Sequence, residues 1–78
     1  MKPTGLQERF LNAIRKQRIP ATFYLINGFQ MKGLIKAFDD YTVILLCGDT
    51  QEMVFKHAIS TIIPARTIEL DIPALGAE

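Results

Sequence analysis

A lysine and the only histidine of the chain stand next to each other in an apolar, β-prone stretch, Phe55-Lys56-His57-Ala58-Ile59-Ser60-Thr61. An unpaired ammonium buried in a strand costs of order 2 kcal/mol or more, so Lys56 and His57 need a physical reason to be there. Either the strand ends at this point and both side chains reach water, or the fold presents them together at a polar site that an anionic partner completes. The second explanation points to a polyanion such as RNA.

The other reactive side chains are too few for a catalytic centre. Cys47 could act as a nucleophile and His57 as a general base, but such catalysis also needs an orienting group and an oxyanion or metal site. One histidine and one cysteine offer no metal-ligand spacing. We therefore predict no enzyme activity, no catalytic residue, no metal and no cofactor.

Length and composition predict one small domain that associates with copies of itself. A domain near 78 residues buries only about 60% of the surface of its unfolded chain, and 49% hydrophobic residues exceed what so small a sphere hides. One cysteine cannot form an intrachain disulfide, and we find no leader sequence or apolar run long enough to span a membrane. We expect a cytoplasmic homo-oligomer without membrane contact.

The charges are segregated along the chain although the net charge is only +1. Residues 1–36 contain seven Lys/Arg against Glu8 alone, a balance of +6, and residues 37–78 contain two against seven acids, a balance of −5. This pattern is compatible with a basic surface for a polyanion. A chance distribution of solvated charges explains it equally well.

The pattern predicts one helix followed by five strands. Thr4-Gly5-Leu6-Gln7 has the form of a capping box, and apolar residues then recur at helical spacing until Pro20, which indicates a helix over residues 5–18. Strands are predicted over residues 21–26, 29–38, 42–47, 53–58 and 60–64. Asn27-Gly28 indicates a tight hairpin with both residues at positive φ, and Gly33 indicates a bulge or sharp bend. These elements predict a mainly β fold, a small open barrel whose edge strands pair between subunits until a ring closes.

The chain resembles the bacterial Hfq proteins, the Sm-like RNA chaperone family, from about Leu6 to Pro64. The most specific match is Lys56-His57-Ala58-Ile59-Ser60-Thr61, preceded by Phe55 where the family often has Tyr. Agreement extends to Gln7-Glu8-Arg9-Phe10-Leu11-Asn12, Pro20, Tyr24-Leu25-Ile26-Asn27-Gly28-Phe29 and Phe38-Asp39.

The resemblance implies a strongly bent five-stranded antiparallel sheet behind an N-terminal helix, assembled into a homohexameric ring. It implies a chaperone that anneals small regulatory RNAs to mRNAs and so regulates translation and RNA stability, with a part in stress responses. The expected domain is 1–66, followed by a short acidic and apolar tail over 67–78. DNA stays open as a secondary ligand, since stacking and phosphate contacts tolerate both sugars.

Two RNA-binding faces and a rim follow from the resemblance. The uridine-rich face is expected to use Gln7, Tyr41, Lys56 and His57, with Leu45 nearby as a packing residue. The adenosine-rich face is expected to use Tyr24, Leu25, Asn27, Gly28, Phe29, Gln30, Met31, Lys32, Gln51 and Thr61, with Glu52 as the alternative to Gln51. The rim is expected to use Asn12, Arg15, Lys16, Arg18 and Phe38.

Physical chemistry is consistent with these assignments. An aromatic ring stacks on a base with about 1–3 kcal/mol, an amide and an ammonium can both engage a pyrimidine edge, and rim cations screen the repulsion between two RNA strands without gripping bases. The acids Glu69, Asp71 and Glu78 of the tail would compete with RNA for the rim. Two rival functions remain: a generic Sm-like ring in RNA processing or decay, and a structural ring in which Lys56 and His57 pair with a neighbour's carboxylates.

Overall fold

The computed structural model describes residues 5–70. It contains one helix, α1 (Leu6–Lys16), and five strands: β1 (Ala21–Leu25), β2 (Gln30–Phe38), β3 (Thr42–Cys47), β4 (Thr50–Phe55) and β5 (Ile59–Pro64). A single 3₁₀ turn, Lys56–Ala58, joins β4 to β5. All neighbouring strands are antiparallel, in the order β4-β3-β2-β1-β5. The predicted helix and five-stranded bent sheet are confirmed.

Helix α1 is shorter than predicted at both ends. Gly5 is the N-cap, and its N–H donates to Glu8 Oε1 at 3.4 Å; Thr4, the predicted capping residue, lies outside the described residues. At the other end Arg18 adopts the left-handed conformation (φ +54°). Arg18 N–H then donates to Arg15 O and Ile19 N–H to Ile14 O, the two bonds of a Schellman motif. This motif turns the chain two residues before Pro20, so the helix cannot reach residue 18.

The β1–β2 hairpin forms where Asn27-Gly28 predicted it, but the expected turn type is wrong. Among residues 5–70 only Gly28, Gly48 and Arg18 have positive φ, so Asn27 does not adopt the conformation that a type I′ turn requires. Instead Gly28 N–H donates to Leu25 O, and Asn27 Oδ1 accepts from the Phe29 N–H at 3.0 Å. The Asn27 side chain closes the turn that its backbone was expected to form.

Gly33 is the point at which β2 passes from one half of the sheet to the other. Residues 30–33 pair with β1, whereas residues 34–38 pair with β3. A Cβ at Gly33 would collide with the Leu46 carbonyl oxygen, so only glycine allows the strands to approach so closely. A bulge between Ile35 and Ala37 adds further curvature. The predicted bend is confirmed.

The core lies inside the curved sheet, and α1 covers it. It is formed by Leu11, Ile14, Ile19, Ala21, Phe23, Ile35, Val43 and Leu45.

The predicted fourth strand is wrong at both ends. Strand β4 begins at Thr50, after a tight turn in which Gly48 has φ +64°, and it ends at Phe55. As the outer strands of this order, β4 and β5 each have one side unpaired within residues 5–70.

Candidate nucleic-acid interface

The stretch that stood out in the sequence is the 3₁₀ turn after β4. Strand β4 therefore ends before Lys56, as the first of the two explanations for this stretch requires. That explanation also requires both side chains to reach water, and they do not. His57 is exposed, while Lys56 is half-buried. Lys56 Nζ itself is buried and has no hydrogen-bond acceptor among residues 5–70. A desolvated ammonium without an acceptor fits a site that a ligand completes.

Lys56 and Gln7 meet at a cavity between the helix and the end of the barrel. The cavity measures about 240 Å³, and its lining is Gln7, Phe10, Leu11, Val43, Lys56, Ile59, Ser60, Thr61 and Ile62. Gln7 lies in the first turn of α1, whereas Lys56 lies in the 3₁₀ turn after β4, far from Gln7 in the sequence. The sheet thus brings an amide and an ammonium to one apolar cavity, which suits the polar edge and flat face of a base.

Tyr41 stands on a turn that one carboxylate holds in place. Asp39 Oδ1 accepts from Tyr41 N–H at 2.9 Å, Thr42 N–H at 2.8 Å and the Thr42 hydroxyl at 2.8 Å. The Thr42 hydroxyl and these backbone donors, together with the Lys56 charge, lower the pKa of Asp39. The Tyr41 carbonyl accepts from Lys56 N–H at 2.7 Å. The Tyr41 backbone is therefore anchored beside the Lys56 turn, and its side chain is 75% exposed there.

Two aromatic contacts flank this turn. The rings of Phe55 and His57 are stacked, with centroids 5.7 Å apart and planes at 21°. Lys56 Nζ lies over the Phe38 ring, 5.4 Å from its centroid. Leu45, expected nearby as a packing residue, has 0% exposure and contributes to the core rather than to the surface. Of the uridine set, Gln7 and Lys56 share the cavity. A backbone hydrogen bond links Tyr41 to Lys56, and His57 follows Lys56 in the same turn.

The second predicted face lies on the outer side of the β1–β2 hairpin. Tyr24 pairs with both Gln30 and Thr61, so these three side chains share one face of the sheet. Phe29 is 70% exposed at the hairpin tip, and Asn27, Gly28 and Lys32 are exposed as well. Leu25 is half-buried.

Met31 differs from the rest of the adenosine set. It pairs with Phe23, packs against the core cluster and is half-buried, so its side chain lies on the inner face. Ile26, beside Asn27, was not assigned to the site, yet it is 69% exposed. Its N–H donates to Ala58 O, which ties the hairpin to the Lys56 turn.

The register of β4 separates Gln51 from Glu52. Gln51 pairs with Leu46, whereas Glu52 pairs with the buried Leu45. Directly paired residues project to the same face, so the Glu52 side chain starts on the core side and the Gln51 side chain on the outer side. The outer side is also the side of Tyr24 and Thr61, whose strand neighbours Phe23 and Ile62 project inward to the core.

The rim residues lie on the exposed side of α1 and just after it. Arg15 Nη2 donates to Asn12 Oδ1 at 2.6 Å, and Arg15, Lys16 and Arg18 are exposed. Phe38 is separate from this cluster in sequence but lines a groove of about 550 Å³ with Glu8, Arg9, Asn12, Asp39 and Asp40. Arg9 was not assigned to the rim, although its spacing of three residues from Asn12 and seven from Lys16 places all three on one helix face.

The described part of the tail lies along the helix. No strand follows β5 within residues 5–70. Ile68 packs against the core cluster, and Glu69 and Leu70 line a groove with Arg9, Asn12, Ala13, Lys16 and Gln17. The acids Asp71 and Glu78 lie outside the described residues.

Groups that could support other chemistry are sparse in residues 5–70. No cluster of three or more His, Cys, Asp or Glu that could hold a metal ion occurs there. Burial raises the pKa of the half-buried Cys47 thiol, which disfavours the nucleophilic thiolate. Within the same residues, the one helix is too short and too polar to cross a membrane.

Comparison with known proteins gives consistent matches over most of the chain. The family model described as "Hfq protein" matches residues 6–69. The "RNA-binding protein Hfq" of Desulforamulus reducens is 59% identical over 64 residues, covering 82% of this chain and 80% of that protein. The protein of the same name from Clostridium kluyveri is 55% identical over 74 residues, covering 94% and 90%. A 1.55 Å crystal structure of "the pleiotropic translational regulator, Hfq" matches with a TM-score of 0.73 and 37% identity, covering 76% of this chain and 98% of that one.

Proposed function

Since the chain belongs to the Hfq family, we propose that it is an RNA chaperone. It binds single-stranded small regulatory RNAs and mRNAs, promotes their annealing and so regulates translation and RNA stability. The observation in this molecule that carries the proposal is Lys56: a buried ammonium without a hydrogen-bond acceptor in residues 5–70, at a base-sized cavity that Gln7 also lines. The carbonyl oxygens of an RNA base can supply the missing acceptor, and the flat face of the base fits the apolar lining of the cavity.

The functional assembly in this proposal is a homohexameric ring. Support comes from the sides of β4 and β5 that are unpaired within residues 5–70. It comes also from large exposed apolar side chains on these strands, Met53 and Phe55 on β4 and Ile63 on β5. Pairing β4 of one subunit with β5 of the next would cover these side chains and satisfy both edges. A ring also repeats each nucleotide site, so weak single-base contacts add up to tight binding of a strand that visits several sites.

The uridine-rich face in this proposal consists of Gln7, Tyr41, Lys56 and His57. Tyr41 would stack on a base at about 1–3 kcal/mol, Gln7 and Lys56 would engage its edge, and His57 would donate to a phosphate or a terminal hydroxyl. The anchoring of Tyr41 to the Asp39 turn and to Lys56 N–H supports this assignment.

The adenosine-rich face is proposed on the outer side of the hairpin. Tyr24 and Phe29 would provide stacking surfaces, and Gln30, Lys32 and Thr61 would provide polar contacts. Gln51, rather than Glu52, is proposed to contact the purine, because the register of β4 projects Gln51 to the outer face. Met31 would act by packing beneath this face.

The proposal includes no chemical turnover, a cytoplasmic location, and RNA as the ligand with DNA as a weaker competitor. The main rival is a structural ring without nucleic-acid ligands. A nucleic-acid binder loses affinity steeply as salt rises, because binding releases counterions, whereas a structural ring has no such affinity to lose.

Titration of labelled oligo(U) and oligo(A) at two salt concentrations tests the proposal. Lys56→Ala should weaken oligo(U) binding by tenfold or more and leave oligo(A) binding within about twofold, on the scale of one charged hydrogen bond. Tyr24→Ala should give the reverse pattern. Oligo(dA) and oligo(dT) serve as ligand controls. Affinities that do not respond to salt, or two variants that weaken both ligands equally, would contradict the two-face assignment.

A further inference from the structure

We propose that Phe38 is a positioning residue of the uridine-rich face, whose ring holds the Lys56 ammonium at the cavity by a cation–π contact. This inference rests on the proposed function, because it concerns how one member of that face is held. The family resemblance assigns Phe38 to the rim, a role that requires no contact with Lys56. The geometry gives it a second role at the boundary between rim and cavity.

The contact has the geometry of a cation–π pair. Lys56 Nζ lies 5.4 Å from the centroid of the Phe38 ring, within the distance of about 6 Å at which the ring quadrupole attracts a cation. The same nitrogen is buried and has no hydrogen-bond acceptor among residues 5–70. Within residues 5–70, the face of the Phe38 ring is therefore the close contact that stabilises the desolvated Lys56 ammonium.

Among residues 5–70, no carboxylate accepts a hydrogen bond from the Lys56 ammonium. Asp39 is close enough for the Lys56 charge to lower the pKa of its carboxyl group, but its Oδ1 already accepts three hydrogen bonds from Tyr41 and Thr42. From α1, the neutral Gln7 lines the cavity. Glu8 and Asp40 lie in the groove that Phe38 also lines, and neither carboxylate is a hydrogen-bond partner of Lys56 Nζ.

The chemistry of the contact explains why a ring is useful here. A carboxylate partner would occupy the N–H donors of Lys56 and neutralise its charge. Fewer donors and less positive charge would then be available to a ligand. An aromatic face attracts the ammonium without offering acceptor lone pairs. The N–H donors that do not point at the ring stay available for the carbonyl oxygens of a base.

The fold fixes the ring firmly enough for this role. Phe38 is the last residue of β2, is half-buried and packs against the core. It pairs with the fully buried Val43, which in turn pairs with Val54, two residues before Lys56. Three adjacent strands therefore set the spacing between the ring and the ammonium.

The test combines two Phe38 variants with Lys56→Met. Phe38→Leu keeps an apolar side chain and removes the quadrupole, whereas Phe38→Tyr keeps the aromatic face. Affinities of the full-length protein for labelled oligo(U) and oligo(A) are measured by fluorescence anisotropy. We expect Phe38→Leu to weaken oligo(U) binding by about tenfold, Phe38→Tyr to stay within about twofold of wild type, and all oligo(A) affinities to stay unchanged. In the Lys56→Met background, Phe38→Leu should have no further effect.

An NMR measurement reports the contact directly. In protein labelled with ¹³C-lysine, the Lys56 methylene next to the ammonium should show an upfield ring-current shift in wild type and in Phe38→Tyr. The shift should be absent in Phe38→Leu. Because this NMR readout needs no RNA, it tests the contact even if a variant binds RNA poorly for other reasons. An unchanged oligo(A) affinity shows that the Phe38→Leu protein is folded. Phe38→Met is the replacement if Phe38→Leu does not fold.

The outcomes separate this inference from the proposed function. If Lys56→Met weakens oligo(U) binding but Phe38→Leu does not, only the role of Phe38 is overturned. The same holds if Phe38→Leu weakens binding equally with and without Lys56, since Phe38 would then act through RNA contacts or packing of its own. If Lys56→Met leaves oligo(U) binding intact, the uridine-rich face itself is wrong and this inference is overturned with it.

Discussion

Single residues of this chain show where stability and binding make different demands. Arg18 follows the helix in the left-handed conformation, where glycine or asparagine is preferred. Its backbone N–H donates to Arg15 O, but its exposed side chain makes no hydrogen bond or ion pair with the described residues that would offset this strain. An arginine at such a position is consistent with selection for its charge at the rim rather than for stability of the fold.

Arg18→Gly should therefore stabilise the protein and impair annealing. We expect a gain of about 0.5–1 kcal/mol in the free energy of unfolding, since glycine adopts positive φ without strain, and a slower annealing of two complementary RNAs. Urea unfolding and a stopped-flow annealing assay measure the two effects. Arg15→Gly, inside α1, is the matched control and should lose about 1 kcal/mol. A less stable Arg18→Gly protein, or one that anneals RNA at the wild-type rate, would refute this trade-off.

Asp39 should make the stability of the protein dependent on acid pH. Its pKa in the folded protein lies below the ordinary 3.8, so its stabilising contribution is complete above that pH and is lost as the pH falls through the folded-state value. The difference in unfolding free energy between wild type and Asp39→Asn should therefore be constant near neutral pH and shrink below pH 3.8. Asp40→Asn is the control, because the Asp40 carboxylate has no hydrogen bond within residues 5–70. Equal pH profiles for both variants would count against the role of Asp39.

At the scale of elements, helix α1 contributes different residues to the core, to the cavity and to the basic surface at its C-terminal end. Its inner face buries Leu11 and Ile14 in the core, its first turn delivers Gln7 to the cavity, and its last turn carries Arg15 and Lys16 to the rim. Basic residues in the last turn also interact favourably with the helix dipole. In the proposed function, this one element contributes to the uridine-rich face and to the rim through different turns.

Replacing Arg15, Lys16 and Arg18 together with alanine should slow annealing far more than it weakens oligo(A) binding. The three cations lie on and just after α1, whereas the proposed adenosine-rich face lies on the β1–β2 hairpin, so only the annealing step loses its screening charge. We expect at least a tenfold slower annealing rate at low salt and an oligo(A) affinity within about twofold of wild type. Annealing and binding that fall by equal factors would show that the rim is not a separate surface.

Elements with strong local patterns could be predicted from the sequence, and contacts distant in sequence could not. The apolar spacing before Pro20 predicted the helix, and Gly33 in a β-prone run predicted the bend. Both could be predicted because neighbouring residues determine them. The end of β4 was missed because Lys56-His57-Ala58 has strand-like neighbours and turns only through backbone bonds to Tyr41 and Ile26. The contact between Phe38 and Lys56 depends on the order of β2, β3 and β4, which no local pattern reveals.

At the scale of the whole molecule, the curved sheet explains why one small domain can offer two separate faces. The inner side of the barrel and α1 form the cavity with Lys56, while the outer side of β1 and β5 presents Tyr24 and Thr61. Within residues 5–70, the outer strands leave both edges of the sheet open. Joining these edges in a ring would repeat both faces around a common axis, with one RNA segment on each side.

Native mass spectrometry of the full-length protein with oligo(U) and oligo(A) together tests this arrangement most directly. We predict a complex of six subunits that carries both oligonucleotides at once, with Lys56→Ala removing only oligo(U) and Tyr24→Ala only oligo(A). A single subunit at micromolar concentration, or a ring on which one oligonucleotide displaces the other, would contradict it.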